Sequence, residues 1–166
     1  NTGHLTFSTL HTNDAPSAVS RLYKMGVEPF LIAYAINLIV AQRLVRTLCS
    51  KCRVEATTRD HTLLERLGFS AEEIETAAMF SPGNNPHCTA CGGQGYKGRR
   101  AITETLLFSP AIRSMIVTAD ELINEDLLRD IAIKEGMLTL LDSARELVKA
   151  GETSVEELMR VVFTEM

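Results

Sequence analysis

The chain has four cysteines, arranged as two Cys-x-x-Cys pairs, and this spacing constrains the fold more than any other feature of the sequence. Cys49 is paired with Cys52, and Cys88 with Cys91. Each pair can present two thiolates from one tight turn, and two such turns together supply the four sulfurs that suit tetrahedral zinc. We therefore predict a zinc site. Two redox-active dithiols, or a pair of disulfides, are the alternatives.

The segment between the two pairs, residues 53–87, is longer than the usual spacer of a zinc ribbon, so we expect a structured insertion with its own helices. The glycines that follow the second pair, Gly92 and Gly93, are expected to let the backbone turn near the metal and donate N–H groups to the sulfurs. The predicted parts of the insertion are a short helix at Leu63–Leu67, a helix from the capping pair Ser70 and Glu73 to about Phe80, and a loop over residues 81–86.

Composition and charge indicate a globular chain. Hydrophobic residues make up 45% of the 166 residues, enough for one core or two small ones. Aromatic residues are only 5% and Trp is absent, which argues against a surface that stacks nucleic-acid bases. Residues 1–100 carry 11 basic against 8 acidic side chains, and residues 101–166 carry 6 against 13. We interpret the acidic part as solvated helix faces.

The beginning of the chain predicts a strand followed by helices. His4–Leu10 alternates and is rich in strand-forming residues. A helix capped by Asn13 or Asp14 should follow, ending at Gly26. A strand that leads into a helix is typical of an α/β sheet domain whose earlier strands would be missing here. Because the chain starts within this predicted strand, we expect it to be a piece of a longer protein.

From Pro29 we predict a second, more deeply buried helix that reaches about Val45. Its apolar run is about twelve residues long, short of the roughly twenty that span a bilayer. Farther along, Arg99–Phe108 alternates again and predicts a strand with Ile102, Glu104 and Leu106 on one face. The remaining helices are predicted to start at Ser109-Pro110, at Asn124, near Leu138, and at a capping box formed by Thr153-Ser154-Val155-Glu156.

Polar residues at the end of the first predicted strand form one candidate site. Ligands of α/β folds bind beyond the carboxyl ends of the strands, and Thr9, His11, Thr12 and Asn13 could bond phosphate oxygens or orient a water there. A structural hydrogen-bonding role for His11 is the alternative. The chain contains no G-x-x-x-x-G-K-[ST] phosphate loop.

Basic residues near the cysteines form a second candidate. Zinc knuckles flanked by such residues can bind phosphates of nucleic acids. The negative net charge and the low aromatic content of the chain favour another interpretation, in which these basic side chains face acidic neighbours or a partner subunit. The set comprises Arg43, Arg46, Lys51, Arg53, Lys97, Arg99 and Arg100.

Residues 2–15 have the sequence TGHLTFSTLHTNDA. This segment resembles the histidine box of the secretion ATPases that drive type II secretion and type IV pilus assembly. The four cysteines are similar to the tetracysteine insertion of the secretion and pilus-extension branch. Further matching segments are Arg21-Leu22, residues 25–27, residues 29–33, AQRLVR at 41–46, LCSKC at 48–52, CTAC at 88–91 and GYKGR at 95–99.

This resemblance implies a hexameric RecA-like ATPase at the cytoplasmic face of the inner membrane, working with membrane platform proteins of the secretion or pilus system. ATP and Mg²⁺ would be held largely by motifs upstream of Asn1. His11 matches the last histidine of the box and would lie near the γ-phosphate, and His4 matches the first; both are candidate catalytic residues. A helix at Ala111–Ile116 resembles one that pilus-retraction ATPases use for function.

We therefore expect an α/β fold: the end of a RecA-like core (residues 1–47), a tetracysteine zinc insertion (48–98), and a strand with an all-helical carboxy-terminal subdomain (99–166). The alternatives to a motor fragment are a zinc-dependent nucleic-acid-binding module and a structural adaptor stapled by zinc. No nucleic-acid partner is expected.

Overall fold

The computed structural model describes residues 3–57, 59–119 and 122–163. Thr2 of the histidine-box motif lies outside the described residues. Two compact units, each built from two stretches of sequence, make up the chain. The first unit comprises residues 1–42 and 103–139, and the second comprises residues 43–102 and 140–166. The three-segment division expected from the sequence stays a prediction.

Helices and short sheets alternate along the described residues. The helices are α1 (Ala15–Lys24), α2 (Pro29–Ala35), α3 (His61–Arg66), α4 (Ala71–Thr76), α5 (Pro110–Val117), α6 (Glu125–Lys134), α7 (Leu140–Lys149) and α8 (Val155–Phe163). The strands are β1 (Leu38–Leu48), β2 (Val54–Glu55), β3 (Phe80–Ser81) and β4 (Tyr96–Leu107). None of the described helices is long and apolar enough to cross a membrane.

The described part of the first unit contains four helices and portions of β1 and β4. α2 packs on α5, α1 packs on α6, and α5 contacts α6. Asp14 caps α1 in a reciprocal pair with Ser17, and Pro16 fits the first turn, so the predicted start of α1 is confirmed. The buried core of this unit includes Val19, Ile32, Leu106, Ile112, Ile116 and Leu128.

The predicted helix from Pro29 to Val45 is wrong beyond Ala35, because residues 38–48 form strand β1. A short apolar run has the same composition in a buried helix and in a buried strand, so periodicity alone does not separate them. Here β-branched residues such as Ile39 and Val40 favour a strand, and a partner strand is present. β1 pairs with β4 in a two-stranded sheet.

Hydrogen bonds near the two ends of this sheet show that β1 and β4 run in opposite directions. The Phe108 N–H donates to the Asn37 carbonyl at one end, and the Cys49 N–H donates to the Gly95 carbonyl at the other. One more residue lies between Gly95 and Phe108 than between Asn37 and Cys49, which indicates a β-bulge. Gly98 has a φ of 90°, the left-handed conformation found in such bulges, so we place the bulge there.

The predicted strand at His4–Leu10 is also wrong, because this segment forms neither helix nor strand. A strand needs a partner ladder, and none of the described strands pairs with this segment. Its apolar side chains are exposed: Leu5 is 79% and Phe7 86% accessible. The alternating pattern is therefore present without the burial that would make it a strand.

The strand predicted at Arg99–Phe108 is confirmed as β4, which starts three residues earlier. Ile102, Glu104 and Leu106 point into the protein, as their alternation predicts. The helices predicted to start after Ser109 and Asn124 are confirmed, since both side chains accept a hydrogen bond from the third residue of their helix.

The second unit contains the predicted insertion helices α3 and α4. Ser70 and Glu73 cap α4 reciprocally as predicted, but α4 ends at Thr76 and not near Phe80. Phe80 lies in β3, which pairs antiparallel with β2. The core that α3 and α4 share with α7 and α8 includes Leu64, Leu67, Ile74, Met79, Ala144, Val148 and Leu158.

A buried carboxylate joins α8 to β1 in this unit. Glu157 has no exposed side-chain surface and binds the guanidinium groups of Arg46 and Arg160, each at 2.6 Å. The capping box predicted at Thr153 and Glu156 is wrong: the Glu157 N–H donates to the Ser154 hydroxyl, and the Thr153 hydroxyl donates to the Arg46 carbonyl. Burial alone would raise the pKa of Glu157, but the bonds from Arg160 and Arg46 lower it to about 2.

The described residues thus form a mixed helix and strand structure with two small sheets and a cluster of four cysteines. This agrees with the α/β expectation at the level of class.

The buried Glu157 cluster generates a prediction about acid stability. We expect Glu157→Gln to lower the free energy of unfolding by about 2 kcal/mol near neutral pH, because charge-assisted hydrogen bonds to both arginines are weakened. The carboxylate has a depressed pKa when folded, so its contribution is present above the ordinary pKa of 4.5 and is lost as pH falls through about 2. The difference between the two proteins should shrink over that window in denaturant titrations.

The neighbouring Glu156 is exposed, so Glu156→Gln serves as the control and should change stability little at any pH. A constant stability gap between Glu157→Gln and the unsubstituted chain across the acidic range would contradict the assigned role of the carboxylate.

Candidate functional site

The four cysteines converge in the second unit. One sulfur from each of Cys49, Cys52, Cys88 and Cys91 lies within 4.8 Å of all the others. The Cys49 and Cys88 sulfurs are 3.9 Å apart, and the Cys52 and Cys91 sulfurs are 3.6 Å apart. Cys49 and Cys88 are buried, whereas Cys52 and Cys91 are half-buried.

Backbone hydrogen bonds shape both cysteine turns. In the first turn the N–H groups of Cys52 and Arg53 donate to the Cys49 carbonyl, at 3.2 and 2.9 Å. In the second turn the Gly92 N–H donates to the Cys88 carbonyl at 2.8 Å. Gly92 and Gly93 have φ values of 61° and 84°, so the predicted role of these glycines in turning the backbone is confirmed.

A third glycine allows the insertion to close against the first turn. Gly83 lies in the loop predicted between the insertion helices and the second cysteine pair. A Cβ atom built on Gly83 would lie 1.6 Å from the Cys52 carbonyl oxygen, so only a residue without a side chain fits there.

The cysteine cluster has an uneven electrostatic environment. Hydrogen bonds from the backbone N–H groups of Cys91 and Ala90 lower the pKa of the Cys88 thiol to about 6. Desolvation, together with hydrogen bonding to the other cysteines, raises the pKa of the Cys52 thiol to about 12. The N–H groups of Ala90 and Cys91 therefore donate to the Cys88 sulfur. The Gly92 N–H, which was predicted to donate to a sulfur, donates to the Cys88 carbonyl instead.

The sulfur positions fit a tetrahedral four-thiolate metal site. Four sulfurs at about 2.3 Å from a zinc ion are separated by about 3.8 Å. The Cys49–Cys88 and Cys52–Cys91 sulfur separations, 3.9 and 3.6 Å, lie on either side of this value. They are well beyond the roughly 2.05 Å of a disulfide, and all four cysteines are free thiols. Four sulfurs occupy all four positions of a tetrahedral zinc ion and leave none open for a substrate, so such a site would be structural.

Four of the seven basic residues near the cysteines make contacts within the protein. Arg46 binds Glu157 and lies 4.1 Å over the ring of Tyr96. Arg53 lies over the Phe80 ring and donates to the Gly151 carbonyl. Arg43 donates to the Val161 carbonyl, and Arg100 pairs with Glu152 at 3.0 Å. Lys51, Lys97 and Arg99 are exposed.

The predicted nucleotide-site residues lie on an irregular stretch that we call the histidine segment, residues 4–13. His4, Thr9, His11 and Asn13 are exposed. Thr12 is half-buried and its hydroxyl donates to the Asp14 carbonyl at 3.3 Å. The histidine segment therefore presents its polar side chains to solvent and is attached to the first unit at its carboxyl end. The roles assigned to these residues stay predictions.

Two residues that the sequence analysis did not place in a site hold that attachment. Glu104 of β4 accepts a hydrogen bond from the Ala15 N–H at 2.9 Å, and Arg129 of α6 binds Asp14 at 2.8 Å. A signal for Glu104 was present in the sequence, since an acidic residue on the inward face of a strand needs a buried partner. Arg129 carries no such signal, because its partner is far away in the sequence.

The helix resembling a functional helix of retraction ATPases is part of α5. Ile112 and Ile116 are fully buried in the core of the first unit. Arg113 donates to the Ala33 carbonyl of α2 and lies 5.9 Å from the ring centre of Tyr34. These contacts account for the helix as a packing element.

Comparison with known proteins identifies the family. A family model described as "Type II/IV secretion system protein" matches residues 1–160. The chain is 42% identical over 158 residues to the type IV pilus assembly ATPase PilB of Thermus thermophilus, which covers 95% of this chain and 17% of that protein. It is 39% identical over 161 residues to the type II secretion system protein E of Aeromonas hydrophila, covering 96% of this chain and 30% of that protein. The chain thus spans less than a third of the length of these relatives. Since the family model covers nearly all of the sequence, this chain belongs to the type II/IV secretion system protein family.

Proposed function

We propose that this chain is the carboxy-terminal part of an ATPase that powers type II protein secretion or type IV pilus assembly. The observation that carries the proposal is the match along almost the whole chain to proteins of both kinds. The longer protein would be a hexamer at the cytoplasmic face of the inner membrane and would act on membrane platform proteins. Residues 1–47 would be the end of a RecA-like core, 48–98 the zinc insertion and 99–166 a helical subdomain.

The histidine segment is the part of this chain that would face the nucleotide. Phosphoryl transfer depends on positioning and on neutralising the charge of the transferred phosphate, which a phosphate loop, its Lys and Mg²⁺ normally provide. This sequence contains no phosphate loop, so ATP and Mg²⁺ would be held mainly by other parts of the longer protein. His11 would lie near the γ-phosphate, with His4, Thr9, Thr12 and Asn13 in its vicinity. The exposure of His4, Thr9, His11 and Asn13 supports the assignment, because a nucleotide could reach their side chains.

Zinc would act as a structural element in the second unit. Cys49, Cys52, Cys88 and Cys91 would supply four thiolates, and the metal would join two turns at opposite ends of a long insertion. Helices α3 and α4 contain only six residues each, too few to be stable alone. Their stability therefore depends on the shared core and on closure of the insertion.

A nucleic-acid-binding module is less well supported. Arg43, Arg46, Arg53 and Arg100 already contact carbonyls, rings or carboxylates of this protein, which leaves Lys51, Lys97 and Arg99 as the three basic residues beside the cysteines for which the described structure gives no such contact. Binding through phosphates would give a steep dependence of affinity on salt. A DNA titration at several salt concentrations therefore separates this alternative from the motor proposal.

The cysteine geometry predicts one zinc ion per chain. Metal analysis of freshly prepared, reduced protein should find it in stoichiometric amount. Replacing one ligand, as in Cys52→Ser, should abolish stoichiometric binding and lower the thermal midpoint, because an incomplete site binds metal far more weakly. The exposed Ser50 lies within the same turn, so Ser50→Ala is the matched control and should retain zinc. Protein without zinc, or with a Cys49–Cys52 disulfide, would show the proposal to be wrong.

The proposed division of labour predicts that this chain alone does not hydrolyse ATP. In the longer protein, His11→Ala should lower turnover strongly and leave ATP affinity nearly unchanged, since the phosphate loop would supply most of the binding energy. A steady-state ATPase assay and a nucleotide-binding titration measure the two effects. His61→Ala removes an exposed histidine of the second unit and should behave as the parent does.

Robust, metal-dependent turnover by this chain alone would contradict the first expectation. Unchanged turnover in a folded His11→Ala protein would contradict the second and would favour a structural role for His11.

A further inference from the structure

Glu104 of β4 is a buried carboxylate that contacts the first residue of α1. Its side chain is on the inward face of β4 between Ile102 and Leu106, and the residue is only 2% exposed. One oxygen accepts a hydrogen bond from the N–H of Ala15, the first residue of α1, at 2.9 Å. The first N–H groups of a helix have no partner within the helix and favour a negative charge. Glu104 therefore binds the start of α1 to β4.

Arg129 holds the residue immediately before Ala15. Its guanidinium group binds the Asp14 carboxylate at 2.8 Å, and both side chains are less than a third exposed. The same carboxylate accepts the Ser17 N–H at 2.8 Å and so caps α1. Burial would raise the pKa of Asp14, but the bonds from Arg129 and Ser17 outweigh it, and the pKa is lowered. Glu104 and Asp14 also stabilise the charge of Arg129.

These contacts fix two adjacent backbone positions directly after the histidine segment. Asp14 is tied to α6 and Ala15 to β4. The Thr12 hydroxyl donates to the Asp14 carbonyl at 3.3 Å, which links Thr12 to the residue that caps α1. His11 is exposed and lies three residues before Asp14, so at most about 10 Å of extended chain separates the two. The attachment at Asp14 and Ala15 thus limits where the His11 imidazole can be.

We propose that Glu104 and Arg129 are positioning residues that hold the His11–Asn13 part of the histidine segment in place for the nucleotide. The inference rests on the proposed function, in which His11 lies near the γ-phosphate. Catalysis by positioning is sensitive to displacement, and a shift of about 1 Å can cost on the order of a hundredfold in rate. Neither residue touches the nucleotide in this proposal, and both act through the backbone at Asp14 and Ala15.

The attachment can be measured in this chain without any nucleotide. In a two-dimensional NMR spectrum, the Ala15 amide proton should resonate downfield and exchange slowly, because it is bonded to a buried carboxylate. Glu104→Gln keeps an oxygen acceptor but removes the charge, so the Ala15 signal should move upfield in a folded protein. Arg129→Met should shift the Thr12 and Asn13 amide signals and the His11 ring signals. Lys134→Met removes an exposed cation from the same helix, and should leave all of these signals unchanged.

The consequence for catalysis is measured in the longer protein. Arg129→Met should lower kcat about tenfold and leave KM within about twofold, because positioning is lost while the phosphate loop still binds ATP. Arg129→Lys keeps the positive charge near Asp14, so its kcat should fall less than that of Arg129→Met. If Arg129 had a purely structural role, its replacement would lower the thermal midpoint and the fraction of active enzyme. The kcat of the folded enzyme would then be the same for Arg129→Lys and Arg129→Met.

Two results would overturn the inference: unmoved His11–Asn13 signals in a folded Arg129→Met chain, or displaced signals with an unchanged kcat in the longer protein. If the proposed function itself were wrong, the ATPase assay would instead show unchanged turnover in the His11→Ala protein. The two failures are therefore read from different variants.

Discussion

The second unit depends on closing two cysteine turns that lie 39 residues apart in the sequence. Chain entropy opposes this closure, and the two helices between the turns are each too short to form alone. The turns meet because the Cys49 N–H bonds the Gly95 carbonyl and because Gly83 lets the returning loop lie against Cys52. A metal bound by the four sulfurs would add the strongest single link to this arrangement.

Charged contacts complete the same unit around the insertion. Lys149 of α7 binds Glu73 of α4 at 2.7 Å, and Arg145 donates to the Gly68 carbonyl at 2.7 Å. These contacts lie beside the core that α3 and α4 share with α7 and α8. The insertion therefore shares a core and charged contacts with the last two helices of the chain.

Among the described residues, each unit also contains one buried carboxylate that binds groups distant in the sequence. Glu157 joins α8 to β1 through Arg46, and Glu104 joins β4 to the start of α1. Burying a carboxylate is costly unless it is paired and hydrogen-bonded, so such contacts specify one arrangement more than they add net stability. In the first unit that arrangement sets the end of the histidine segment. The attachment of the candidate nucleotide-facing region is thus buried at Glu104 and Ala15, while the His4, Thr9, His11 and Asn13 side chains are exposed.

The sequence by itself determined the features that depend on residue type and short spacing. The cysteine set follows from ligand chemistry, and the caps at Asp14, Ser70, Ser109 and Asn124 follow from bonds made within three residues. The inward face of β4 followed from alternation. Only tertiary structure decided whether residues 38–48 form a helix or a strand, because an apolar run suits both and the pairing with β4 selects one. The same reason explains why the strand predicted at His4–Leu10 is wrong: the segment alternates, but none of the described strands pairs with it. The contacts of Glu104 with Ala15, of Arg129 with Asp14 and of Glu157 with Arg46 span 89, 115 and 111 residues. Contacts over such distances exist only once the chain has folded.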